Sequence, residues 1–217
     1  MRVAAIVPAA GKGRRIKSRI QKPYIELCGK PILAHTLLRL SSSSLISEVI
    51  VAVDAKKVAT FKRDIISRFR IKKIKVVSGG SQRPDSVYNA LKETSREIDY
   101  VLVHDGIRPF ITDNLIKTSL RAAKRFGASV VAVPVKSTLK YIGKNGCIKH
   151  TPDRRDYWEA QTPQVFRKDL LDEAYRKLGR KRGIGITDDS MLVERLGVRP
   201  KIVLGSYSNI KITTQED

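Results

Sequence analysis

Cations placed beside glycines are the first feature of this 217-residue chain that could do chemistry. An apolar run, Val3–Val7, leads into Pro8-Ala9-Ala10-Gly11-Lys12-Gly13-Arg14-Arg15, and Lys22 follows. Glycine lets backbone N–H groups come close to an anion. Arg14, Arg15 and Lys22 could then balance the charge of a triphosphate and of its reacting phosphorus. Two common phosphate motifs fail here, because the dinucleotide fingerprint and the P-loop would both need glycine at position 16, which is Ile16. Taken alone, Gly-x-Gly fits an ordinary turn as well.

Further segments carry the same kinds of residue. Gly79-Gly80-Ser81-Gln82-Arg83-Pro84-Asp85-Ser86-Val87 makes a tight bend and a helix start, with Ser81 as its expected N-cap. His104-Asp105-Gly106-Ile107-Arg108-Pro109 follows a short apolar strand. A carboxylate there could hold a sugar hydroxyl or a divalent metal, and Arg108 could hold a phosphate or pair with Asp105. His104 reads as a packed core histidine. Thr187-Asp188-Asp189-Ser190 reads first as an N-cap with acids in the first turn of a helix.

With Lys22, Pro8-Ala9-Ala10-Gly11-x-Gly13-x-Arg15 resembles the signature of sugar-phosphate nucleotidyltransferases, and within them most closely the 2-C-methyl-D-erythritol 4-phosphate cytidylyltransferase family. The later segments agree in collinear order from Val3 to Asp217. Gly79–Val87 is similar to Gly-Gly-x-x-Arg-x-x-Ser-Val, and His104–Pro109 to His-Asp-Ala-Ala-Arg-Pro. Pro134–Lys140 resembles Pro-Val-x-Asp-Thr-Ile-Lys with Ser137 in place of Asp. Asp153–Gln164 resembles Asp-Arg-x-x-Leu-Trp-x-Ala-Gln-Thr-Pro-Gln and is the most specific match. Ser208–Thr213 matches the family's x-Asn-Ile-Lys-[Val/Ile]-Thr. Gln21 and Pro23 depart from the usual Pro-Lys-Gln around the loop lysine, and Pro23 restricts the backbone of Lys22.

The resemblance implies transfer of a cytidylyl group from CTP to methylerythritol phosphate, with release of pyrophosphate, in non-mevalonate isoprenoid synthesis. It implies Arg15 and Lys22 as catalytic cations. Ala9, Ala10, Gly11, Gly13, Gly80, Ser81 and Ser86 would form the CTP site. Asp105, Arg108, Thr138, Arg154, Thr162 and Lys211 would form the substrate site, with Mg²⁺ as cofactor close to Asp105. It further implies a cytoplasmic homodimer whose β-arm lends residues to the neighbouring subunit's site. Other polyol phosphates, such as ribitol 5-phosphate, stay open as acceptors.

Positioning these residues requires a particular scaffold. Short apolar runs at Val3–Val7, Glu48–Val53, Ile74–Val77, Tyr100–Val103 and Ser129–Val133 alternate with amphipathic stretches. Those stretches are Pro31–Leu40, Lys56–Phe69, Gln82–Lys92 and Asn114–Phe126. This alternation predicts an α/β fold, a single Rossmann-like domain over residues 1–217, with a mostly parallel twisted sheet and helices on both faces. Ligands of such sheets bind at the carboxyl ends of the strands, where the loops above lie. Thr138–Ile142 and Cys147–His150, joined through Asn145-Gly146, predict a projecting hairpin arm at roughly 137–152. Helices are expected at Lys168–Leu178 and Asp188–Leu196, and closing strands at Ile202–Leu204 and Ile210–Ile212.

Composition bounds the rest. Hydrophobic residues are 41% and charged residues 29%, which is globular. No apolar run approaches the roughly 20 residues of a membrane span, and the N-terminus is too soon interrupted for a signal peptide. Cys28 and Cys147 stand too far apart for a C-x-x-C site and read as reduced thiols. The net charge of +22 invites a nucleic-acid reading. It is spread as +7, +6, +7 and +2 over residues 1–50, 51–100, 101–150 and 151–217, without a basic tail. Aromatic residues are only 6%, so stacking platforms between the cations are not expected, and no nucleic-acid partner is predicted.

Overall fold

The computed structural model describes residues 1–11, 22–179, 185–214 and 216–217. The strands are β1 (Val3–Pro8), β2 (Glu26–Leu27), β3 (Lys30–Pro31), β4 (Glu48–Val53), β5 (Ile74–Ser78), β6 (Tyr100–Val103), β7 (Ala128–Pro134), β8 (Tyr141–Ile142), β9 (Ile148–His150), β10 (Trp158–Arg167) and β11 (Lys201–Leu204). The α-helices are α1 (Ile32–Ser42), α2 (Val58–Phe61), α3 (Arg83–Lys92), α4 (Asp113–Phe126), α5 (Lys168–Leu178) and α6 (Ser190–Glu194).

Seven strands form one sheet in the order β11-β7-β10-β6-β1-β4-β5. All run parallel except β10, which is antiparallel to both neighbours, β6 and β7. The central strands are apolar on both faces because both are covered, so they read as continuous runs rather than alternations. Val3, Ala5 and Val7 of β1 pack with Leu33 and Leu37 of α1 and Leu120 of α4. Ala4 and Ile6 face the other way, onto Val87 of α3 and Tyr175 of α5. Helices therefore flank both faces, as the alternation predicts. α4 is bounded by a Thr112 side chain that accepts from Leu115 N and by Gly127 at φ 80°, a conformation that favours glycine.

The hairpin of β8 and β9 forms a separate two-stranded sheet with Gly146 at φ 79° in its turn. It is shorter than Thr138–Ile142 and Cys147–His150 would make it, and both of its strands are exposed.

Several local expectations are corrected. The stretch Lys56–Phe69 buries Phe61 and Ile65 as a helical period demands, but it winds as a 3-10 turn, then α2, then a π turn over Lys62–Ser67. Gln82, not Ser81, caps α3; Ser81 Oγ instead donates to Asp85 at 2.8 Å. At α6 the capping oxygen is Asp188 Oδ1, which accepts from Met191 N at 3.1 Å, rather than Thr187. The α6 helix covers Ser190–Glu194 rather than Asp188–Leu196. Ile210–Ile212 is not a strand, although Ile212 N bonds Ile107 O at 3.0 Å. Strand β10 was not anticipated at all.

Candidate functional site

The carboxyl ends of the parallel strands open into two adjoining chambers. The first, about 330 Å³, runs between the loop after β1 and the start of α3. Ala9, Ala10 and Gly11 line one side, and Gly80, Ser81 and Ser86 the other. Backbone contacts hold the two sides together, with Ala9 N on Ala52 O and Gly79 N on Val53 O, each at 2.7 Å. The close approach requires glycine: a Cβ on Gly79 would collide with the Ala10 methyl and come within 2.9 Å of Ser86 Oγ. The Ser86 hydroxyl donates to Gln82 O and accepts from Gly80 N, both at 3.1 Å, which sets the bend.

Gly11 and Pro23 both line this chamber, and the basic segment lies between them in sequence. Gly13 and Arg15 lie outside the described residues. Lys22 is placed only by its backbone, in a 3-10 turn with Pro23 and Tyr24.

The second chamber, about 210 Å³, lies against β10 and is lined by Arg108, Gln161, Thr162 and Thr187 among others. Arg83, Asp105 and Lys211 line both chambers and form the wall between them. Asp105 Oδ2 meets Lys211 Nζ at 3.0 Å and Arg108 Nε at 3.3 Å, while Oδ1 lies 3.9 Å from Arg83 Nε. Burial alone would raise this carboxyl, but Lys211, Arg83 and Arg108 outweigh it and bring its pKa down to about 2. Arg83 is held in turn by buried Asp189, 2.7 Å from its Nη1, and Tyr175 OH donates to the other oxygen of Asp189 at 2.6 Å. Burial works against the Arg83 charge, yet Asp189 and Asp105 hold its pKa above the ordinary value. For Arg108 burial prevails and lowers it.

Polar bonds tie two loops and strand β10 into this wall. Arg108 Nη1 donates to Asn209 O at 2.6 Å, and Asn209 Nδ2 donates to Gln161 Oε1 at 3.0 Å and Thr162 O at 2.8 Å. His104 is fully buried, in line with its reading as a core residue, and desolvation lowers its pKa to about 4.

Among the expected site residues, Asp105 and Lys211 thus meet, with Arg108 and Thr162 beside them. Thr138 and Arg154 do not join them: both are exposed at the foot of the arm and line neither chamber, and Arg154 Nη1 bonds Lys136 O. The geometry adds Arg83, Asp189 and Gln164, whose Oε1 accepts from Asp189 N and Ser190 N at 3.2 and 3.1 Å. The signal for Arg83 lay in the Gly79–Val87 segment, but a helix start accounted for it equally well.

Among the described residues no three His, Cys, Asp or Glu side chains gather into a metal cage. Asp105 Oδ1 is the less engaged oxygen of a carboxylate shared by both chambers. Mg²⁺ characteristically takes one or two carboxylates together with substrate phosphates, and this donor fits that habit.

Comparison with known proteins decides among nucleotide enzymes. The model of the 2-C-methyl-D-erythritol 4-phosphate cytidylyltransferase (IspD) family matches residues 3–217. The chain belongs to this family. Its curated relatives of that name include one from Alkaliphilus oremlandii, 45% identical over 217 residues, covering 100% of this chain and 92% of the relative. Another, from Clostridioides difficile, is 43% identical over 214 residues, covering 99% and 90%. A solved 4-diphosphocytidyl-2C-methyl-D-erythritol synthase from Anaerococcus prevotii superposes with a TM-score of 0.86 at 34% identity, covering 100% of this chain and 92% of that one. A cytidylyltransferase structure from Francisella tularensis gives 0.84 at 32%, covering 100% and 96%. The fold described above thus matches that of solved cytidylyltransferases over the full length of this chain. No described helix is long and apolar enough to cross a membrane.

Proposed function

We propose that the chain transfers the cytidylyl group of CTP to 2-C-methyl-D-erythritol 4-phosphate, releasing pyrophosphate and forming 4-diphosphocytidyl-2-C-methyl-D-erythritol. The observation that carries this is the pair of chambers divided by Arg83, Asp105 and Lys211, in a chain matched along its length by the cytidylyltransferase family. The first chamber takes the nucleotide. Its Ala9-Ala10 and Gly80–Ser86 walls present backbone groups and the Ser86 hydroxyl to the base. The second chamber takes the sugar phosphate.

A phosphate monoester is largely dianionic at neutral pH, its second pKa lying near ~6, and needs no general base to act as nucleophile. Its oxygen forms a bond to the α-phosphorus of CTP as the bond to the bridging oxygen breaks, and pyrophosphate carries away that electron pair. The protein's work is alignment and charge stabilisation. Arg15 and Lys22, carried by the loop that starts and ends at the first chamber, act on the α-phosphate and leaving group. Lys211 and Arg108 stand on the acceptor side, with Thr162 in the chamber wall. Asp105 would hold Mg²⁺, and the ion would supply neutralising charge to the phosphates.

Thr138 and Arg154 complete the acceptor chamber of a second copy, since they lie outside both chambers of their own chain. On this reading the working form is a homodimer joined through the arm.

Incubating the protein with CTP and each of methylerythritol phosphate and ribitol 5-phosphate, with pyrophosphate as readout, tests the reading. Release with methylerythritol phosphate is expected to exceed the other by at least about 100-fold in kcat/KM, a difference of about 3 kcal/mol. Equal or reversed preference overturns the acceptor assignment.

A further inference from the structure

The orientation of one hydroxyl decides what Thr162 can do. Thr162 Oγ1 is buried between two partners: it lies 3.0 Å from Asp105 N and 3.0 Å from His104 Nδ1. The other ring nitrogen, His104 Nε2, lies 3.1 Å from Arg108 O. A carbonyl oxygen only accepts, so Nε2 carries a proton. In a neutral ring Nδ1 is then bare and only accepts, so the Thr162 hydroxyl is its donor. The Asp105 N–H meanwhile donates to the same oxygen. The complete chain runs from Asp105 N–H to Thr162 Oγ1, from Thr162 O–H to His104 Nδ1, and from His104 Nε2–H to Arg108 O. His104 is fully buried, and a ring cut off from water is held in its neutral form.

A hydroxyl has one proton. A dianionic phosphate offers only acceptors, so Thr162 cannot donate to it without abandoning His104. We infer that Thr162 and His104 form a latch, in which Thr162 is a positioning residue that fixes the Asp105–Arg108 loop against β10 instead of a hydrogen-bond donor to the incoming phosphate. The latch closes the loop at both ends, through the backbone N of Asp105 and the backbone O of Arg108. Both residues bring charged side chains to the second chamber. The inference rests on reading that chamber as the acceptor site, and it reassigns Thr162 relative to the family resemblance.

Nitrogen-15 spectra of histidine-labelled protein report the tautomer without any substrate. His104 is assigned by elimination with His35→Gln and His150→Gln. The expected result at pH 7 is a neutral ring protonated on Nε2. A proton on Nδ1 would turn Thr162 into the acceptor, free its own proton for a ligand, and overturn the inference.

Steady-state kinetics with CTP and methylerythritol phosphate supply the second arm. Thr162→Ser keeps the hydroxyl and should hold kcat within about 3-fold of wild type. Thr162→Val keeps the shape and loses the latch, so kcat should fall about 10- to 100-fold through misplacement, with KM for the sugar phosphate within about 3-fold. A KM rise of 10-fold or more at preserved kcat, or no change in either constant, sinks the latch. If Thr162→Val lacks the wild-type circular dichroism spectrum, Thr162→Ala is judged by the same split. Should wild-type protein release no pyrophosphate, the functional reading has failed, and the tautomer still decides the latch.

Discussion

The wall around Asp105 and the foot of the arm around Asp153 both pair carboxylates with arginines, and they differ in everything that gives such a pair consequence. The Asp105 side chain is 10% exposed and meets three cations from three separate segments. The Asp153 side chain is 55% exposed and meets Arg155, two residues away, at 2.5 Å. The first arrangement fixes distant parts of the chain relative to one another, because a buried charge left without its partner is costly. The second is screened by water and fixes nothing beyond its own turn. The strand ends are thus preorganised, while the foot of the arm has no comparable wall of buried charge.

Variants can break this contrast. The largest effect is expected at the cations of the basic segment between Gly11 and Pro23. Arg15→Ala and Lys22→Ala should each lower kcat about 10²- to 10³-fold with unchanged melting temperature, as loss of one transition-state cation does; near-wild-type turnover in both would remove them from the chemistry. At the arm, Arg154→Ala should raise KM for the sugar phosphate about 10- to 100-fold while CTP binding holds, the range for one charge-assisted contact. Mixing equal amounts of Arg154→Ala and Lys22→Ala protein, with subunit exchange, should restore roughly a quarter of wild-type activity, because a two-fold dimer of one of each retains one intact site. No restoration would mean that the arm serves its own chain.

Stability against pH separates the regions on a smaller scale. The His104 pKa falls from 6.5 to about 4 on folding. The unfolded chain takes up a proton there before the folded one does, so stability declines as pH falls from about 6.5 to about 4. The loss between pH 7 and pH 5 is about 2 kcal/mol, read from urea midpoints. His104→Gln should flatten that slope. The Asp105 pKa is lowered on folding, so its contribution is full above 3.8 and is lost only as pH falls towards about 2, which leaves the pH 5–7 window to His104. Smallest of all, Asp153→Ala in the exposed turn should leave the melting temperature unmoved; a clear drop would show that the arm's ion pair is structural.

The parallel strands were legible because residues buried on both faces need unbroken apolar runs, as in Glu-Val-Ile-Val-Ala-Val of β4. The first chamber was legible through glycine, since the collision awaiting any Cβ at Gly79 leaves its mark on residue type. Strand β10 escaped for the opposite reason. Its first three residues are exposed, its centre buries Gln161, Thr162 and Gln164, and a register shift interrupts its pairing with β7 between Ala160 and Gln164. Neither period 2 nor an apolar run survives that. Arg83 and Asp189 were hidden by ambiguity: each sits where a helix start explains it, and only the fold brings them within 2.7 Å. Thr138 and Arg154 could be assigned from resemblance alone, and within one copy they do not reach the cavity.

The wall shared by the two chambers has a thermodynamic consequence. Arg83, Asp105 and Lys211 line both chambers, so whatever an occupant of one does to their positions or charge balance becomes part of the binding free energy in the other. Such linkage is reciprocal: the factor by which a nucleotide changes acceptor affinity equals the factor by which acceptor changes nucleotide affinity. The order in which the two anions arrive then alters the path to the ternary complex and leaves its total stability unchanged.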